Sequence, residues 1–195
     1  MEAWKSFFTD EILEVIVKST NEKIRKFTNQ VGRTAQKAFF FHETNKIEIA
    51  ALFGLMYARG LLGQANLALH IVYREGFSHP VFGATMSRDR MKFLLSKISF
   101  DEEATRQQRW KNDRFAAVRD VHQMIMKRCV SAITPDDFLC IDESLYPMRT
   151  AVSFKQYNKT KPAKYGLLYR SMNSVRYPYT FATQVYAGKP VEIPT

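Results

Sequence analysis

Apolar positions recur every three or four residues through the first two-thirds of the chain and take a strand pattern afterwards, so helices are predicted first and a sheet second. Ile12, Leu13, Ile16 and Val17 make one face of a first helix, with Thr9 as candidate N-cap and Phe8 with Leu13 as a hydrophobic staple; its pattern fades near Phe27. A second helix is predicted after Thr44, through Ile47, Ala51, Leu55 and Ala58 to Gly60 or Gly63, and a short third over 66–74. Residues 76–80 break the pattern. Ser87 is the candidate N-cap of a fourth helix that turns Met91, Leu94, Leu95 and Ile98 inward, after which the polar stretch 101–113 reads as a loop or linker. The clearest stripe is Phe115, Val118, His122, Ile125, Cys129 and Ile133, ended by Thr134-Pro135.

Strands are predicted over 138–145, 164–173 and 177–187. The first carries Asp142 at its end and stops before Pro147, which cannot donate to a ladder. Because side chains alternate, Asp142 shares a face with Phe138 and Cys140, while Glu143 goes with Leu139 and Ile141. The two acids are therefore not a natural chelating pair. The fold class is α+β, with a helical region over 1–134 and a three-stranded antiparallel sheet region over 135–195.

Composition supports a packed globule, since 46% of the 195 residues are hydrophobic and 13% aromatic. Charge changes the picture more. Lys and Arg number 29 against 19 acids, giving +10, which makes nucleic acid the leading partner and anionic membrane or acidic protein the lesser ones. After Glu143 the only acid is Glu192, against Arg149, Lys155, Lys159, Lys161, Lys164, Arg170, Arg176 and Lys189. Lys155, Tyr157, Lys159, Lys161, Lys164 and Tyr165 interleave cations with rings, as suits a phosphate backbone with unpaired bases, or else a charged hairpin loop whose tyrosines pack on the sheet. Ser87 to Arg90 with Lys92 reads either as a helix N-terminus seated on phosphate or as a solvated helix start. Phe39, Phe40 and Phe41 are a partner surface or a local core. Cys129 and Cys140 read as core thiols in a reducing compartment, since His122 and Cys129 alone cannot make a zinc site. No apolar run reaches the roughly 18 residues of a membrane span, and the N-terminus lacks a secretory apolar region.

The chain resembles the piggyBac transposase family, including the host proteins derived from it. The residues that carry this are Ile141-Asp142-Glu143-Ser144, Pro147, Ser153 to Asn158, Lys161-Pro162, Lys164-Tyr165-Gly166 and Val185 to Lys189. Weaker agreement extends to Phe8 to Ile12, Thr20-Asn21 and Met86 to Arg90, so nearly the whole chain is covered. The resemblance implies a helical DNA-binding and dimerisation region followed by the first three strands of a ribonuclease H-like domain. It makes Asp142 the first of three aspartates that hold divalent metal, Mg²⁺ in the complete domain. The other two would lie past the Tyr186 to Lys189 segment and past Thr195, so no metal is expected to be held by this chain alone. Thr150-Ala151 stands where the family often has Gly-Arg, and Tyr165 where it often has tryptophan.

The leading expectation is a truncated transposase-derived protein that binds DNA, through Arg149, Lys155, Lys159, Lys161 and Lys164, but is catalytically incomplete. One alternative is a fragment of an active metal-dependent DNA transposase. Another is an interaction module that dimerises with itself or with a related transposase. No small-molecule substrate and no membrane partner are expected, and the resemblance implies the nucleus. Lacking later strands, the first strand should expose one backbone edge and make the chain poorly soluble unless another chain covers it.

Overall fold

A computed structural model describes residues 2–31, 39–148 and 150–188. Its elements are α1 (Glu2–Phe7), α2 (Asp10–Val31), α3 (Lys46–Leu61), α4 (Leu69–Val72), α5 (Pro80–Thr85), α6 (Arg88–Lys97), α7 (Glu103–Asn112), α8 (Ala116–Ala132), β1 (Leu139–Pro147), β2 (Gln156–Tyr157), β3 (Tyr165–Ser174) and β4 (Thr180–Val185). They divide into two compact units, residues 10–100 and the described residues of 1–9 with 101–195. The division by packing thus falls near residue 100, and α7 and α8 go with the sheet.

In the helical unit, Ile24, Leu52, Leu55, Val72, Phe82, Met91, Phe93 and Leu94 form one buried cluster. Helix α2 runs one turn beyond the expected Phe27, burying Thr20 and Asn21 along with Ile12, Leu13 and Ile16. Polar residues are tolerated there because each is paired: Thr20 bonds Ser99, and the Asn21 amide exchanges bonds of 2.9 and 2.8 Å with the Thr44 backbone. Helix α3 starts where expected, with Asn45 accepting from Glu48 N–H at 3.0 Å, but turns Ile49, Leu52 and Leu55 inward and leaves Ile47 83% exposed. The expected third helix is the single turn α4, and α5 follows the break with Phe82 fully buried. Phe40 and Phe41 pack on the core, the Phe41 ring 4.9 Å from Phe93, whereas Phe39 is open to solvent.

Ser87 does cap α6, accepting from Arg90 N–H at 3.2 Å. Arg90 itself is neither solvated nor free for phosphate. It is 5% exposed, donates to both Glu48 carboxylate oxygens at 2.7 and 2.6 Å, and spends its remaining N–H groups on the carbonyls of Phe40, His42 and Glu43 at 2.8, 2.7 and 3.2 Å. A guanidinium with this full set of acceptors fastens residues 40–43 to α3 and α6.

The polar stretch expected to be a loop is helix α7. It buries no residue, so no apolar period marks it. Its support is ionic: buried Asp101 accepts from Arg106, and from Arg109 at 2.6 Å, while Arg109 also donates to the Ala116 carbonyl at 3.0 Å. Glu103 in the first turn and Arg109 with Lys111 in the last complement the helix dipole.

The three expected strands are present, with β3 pairing β1 on one side and β2 and β4 on the other, all antiparallel. Helix α8 lies on β4, where Phe115, Phe154 and Val185 are the buried centre of the unit. Gly166 sits opposite Pro147, and a Cβ there would collide with the Tyr146 carbonyl oxygen, which explains glycine at a strand position.

Candidate nucleic-acid interface around Asp142

Asp142 lies in the middle of β1, not at its end, because the strand continues through Pro147 to pair with Gly166. Its register partner is Ser171, whose partner on β4 is Thr183. Alternation places Asp142, Ser144 and Tyr146 on the face that α8 covers at β4, where His122 Nε2 lies 2.8 Å from Thr183 Oγ1. Burial pushes the His122 imidazole below its ordinary pKa, and the neighbouring Arg119 charge adds to this. On this face Asp142, Ser144, Tyr169, Ser171, Asn173 and Thr183 border an open cavity of about 650 Å³. Asn173 donates to Ser171 at 2.9 Å and accepts from Thr180 at 2.8 Å, so the floor is a hydroxyl and amide network. Ser171 and Thr183 escaped the sequence reading; only the strand register brings them beside Asp142.

Asp142 is exposed, and its Oδ1 accepts from the Glu143 N–H at 2.7 Å. Glu143 points to the opposite face, as expected, and meets Arg170 at 3.5 Å. Cys140, expected in the core, is exposed, while Cys129 is half-buried and its carbonyl accepts from Tyr179 at 2.6 Å. Among the described residues no three His, Cys, Asp or Glu side chains gather as metal ligands. One carboxylate among hydroxyls does not fit a site for two metals about 4 Å apart.

The basic residues come together on the hairpin between β2 and β3. Asn158 organises the turn, its Oδ1 accepting from Thr160 N–H at 3.0 Å and from Thr160 Oγ1 at 2.7 Å. Lys161 folds back and donates to the Glu143 carbonyl at 2.8 Å, one peptide from Asp142. Lys155 holds its ammonium 5.7 Å from the centre of the Tyr165 ring. Lys159 and Lys164 are exposed and have no ion pair or side-chain hydrogen bond among the described residues. Tyr157 and Tyr165 pair at 4.8 Å yet stay more than half exposed, so these rings are not spent on the core. Arg149 lies outside the described residues, as does Lys189.

The chain thus joins a helical unit to an antiparallel sheet that carries exposed Asp142 and a basic hairpin, and the comparisons give its family. The family model described as Transposase IS4 matches residues 1–194, and the chain belongs to that transposase family, among the piggyBac transposases and the proteins derived from them. The human PiggyBac transposable element-derived protein 3 is 21% identical over 165 residues, 85% of this chain and 26% of its own length. The human chimeric ERCC6-PGBD3 protein is likewise 21% identical over 165 residues, 14% of its length. A piggyBac transposase solved in a synaptic complex with hairpin DNA is 30% identical and superposes with a TM-score of 0.89 over 98% of this chain and 39% of that one. The chain therefore spans about a quarter of the first of these relatives and well under half of the solved transposase.

Proposed function

We propose that this chain grips DNA through the β2–β3 hairpin and presents Asp142 as one ligand of a metal site that it does not complete by itself. The observation that carries this reading is the pair of cations without partners among the described residues, Lys159 and Lys164, flanking exposed Tyr157 and Tyr165, with Lys161 pinned beside Asp142. The sheet from β1 to β4 is then the opening part of a ribonuclease H-like domain, and the nucleus is where such a protein acts. The solved relative was captured in a synaptic complex with hairpin DNA, which supports the choice of partner.

Binding of labelled duplex, followed against salt, tests the grip. Lys159→Gln with Lys164→Gln should flatten the plot of log K against log salt by nearly two, at about 0.9 per phosphate contact. An unchanged slope removes the hairpin from the interface. With Mg²⁺ the purified chain should leave supercoiled plasmid intact, and nicking that disappears in Asp142→Ala would overturn the incomplete-site reading.

A further inference from the structure

A second basic site lies where the junction of α7 and α8 meets the end of β4. Lys111, Asp113, Arg114, Arg119, Arg170, Gln184 and the segment Val185 to Gly188 border a cavity of about 480 Å³, within the range of roughly 300–1,000 Å³ typical of small-ligand sites. Along this border four cations face one carboxylate. Asp113 is already committed, since Arg119 donates to its two oxygens at 2.7 and 2.8 Å and holds its pKa below the ordinary value despite burial. Arg170 has only the half-exposed Glu143 at 3.5 Å among the described residues. Lys111 and Arg114 have no ion pair or side-chain hydrogen bond among the described residues, although Arg114 is half-buried. No Arg114 nitrogen is among the buried polar atoms that lack a partner, so its donors stay accessible along the cavity border and free to meet an anion.

The chain makes room for Arg114. Gly188 has φ +89°, and a Cβ there would lie 3.1 Å from an Arg114 guanidinium nitrogen. Glycine in the Tyr186 to Lys189 motif thus serves both the backbone turn and the close approach of the arginine. We infer that this corner is a phosphate-binding pocket, with Arg114 and Lys111 as the principal donors and a nucleic-acid backbone phosphate as the ligand. Guanidinium forks match phosphate oxygens in pairs, and an unpaired ammonium beside one adds charge without demanding geometry. Duplex binding as a readout rests on the nucleic-acid reading; protection by pyrophosphate does not.

The experiment follows duplex binding against salt for the full chain, Lys111→Gln, Arg114→Gln and the double variant, and records the thermal shift of each with inorganic pyrophosphate. The expected result is a salt slope reduced by nearly one for each charge removed, with a pyrophosphate shift in the wild type that the double variant loses. Lys111 is exposed on α7, so its variant reports even if Arg114→Gln fails to fold. A reduced slope without pyrophosphate protection assigns the pocket to backbone phosphate alone. Slope and shift both unchanged in Lys111→Gln and in the double variant overturn the pocket and leave the hairpin reading intact. A wild type that binds no duplex, yet is protected by pyrophosphate through these two residues, keeps the pocket for free phosphate compounds and sinks the hairpin reading.

Discussion

Arg90 and Asp142 show how differently the two units use charge. In the helical unit Arg90 is enclosed and donates to a carboxylate and three carbonyls, so its charge is consumed in holding the fold. In the sheet unit Asp142 is exposed, its carboxylate accepts from the next peptide, and β1 leaves Ile141 and Tyr146 exposed at 78% and 60% on its two faces. Strand β1 also pairs with β3 alone among the described residues, leaving its other edge without a ladder. A charge buried among its partners holds architecture, whereas an exposed carboxylate stays open to contact. Candidate chemistry therefore concentrates in the sheet unit.

The largest effect that would break this contrast is in the helical unit. Arg90→Ala leaves Glu48 without its ion pair and the Phe40 and His42 carbonyls without their Arg90 donor, while Glu43 keeps its bond from His42, and should cost about 3–5 kcal/mol, the range for removing one partner of a buried pair. Urea unfolding of the full chain measures it. A loss under about 1 kcal/mol would mean that Arg90 is only decorative.

Acid should separate the two units. His122 in the sheet unit has a folded pKa below its ordinary 6.5, through burial first and Arg119 second. The unfolded chain therefore takes up that proton more readily, and the stability present above 6.5 drains away as pH falls toward the lower folded value. In the helical unit burial pushes Glu48 up, but the Arg90 and Thr44 bonds outweigh it and leave the carboxyl below its ordinary 4.5. Its contribution is intact above 4.5 and is lost only below it. The tryptophans, Trp4 and Trp110, both belong to the sheet unit. Their fluorescence-detected unfolding midpoint should fall as pH drops below the ordinary 6.5 in the wild type and fall less in His122→Gln. A midpoint just as sensitive in the variant would assign the effect elsewhere.

The sequence carried the sheet far better than the site. Alternation separated Asp142 from Glu143 correctly, and the three long strands lie within a few residues of their expected spans. Periodicity found α8 and the Ser87 cap, because both are signals between near neighbours. It missed α7, whose support is the Asp101 carboxylate and not an apolar face, and it drew the α3 pattern through Ile47, which the helix leaves exposed. Arg90 looked like a surface residue of a helix start because its acceptors lie more than 40 positions away. Ser171 and Thr183 became visible for the same reason, through strand register. Long-range pairing is what a local pattern cannot contain.

The smallest effect tests whether Asp142 belongs to the surface or to the fold. In Asp142→Asn the Oδ1 acceptor for Glu143 N–H is kept and only the charge goes. If the residue is kept for chemistry, stability should stay within about 0.5 kcal/mol, the ordinary scatter for exposed positions. Duplex binding should tighten, since a negative charge leaves a surface that includes the Lys161 ammonium one peptide away. The gain should stay under about fivefold, because exposed charges are worth roughly 0.2–1 kcal/mol each. A stability loss above about 2 kcal/mol would make the carboxylate a structural part of β1 after all. Asp142 would then resemble Arg90, and the contrast between the two units would disappear.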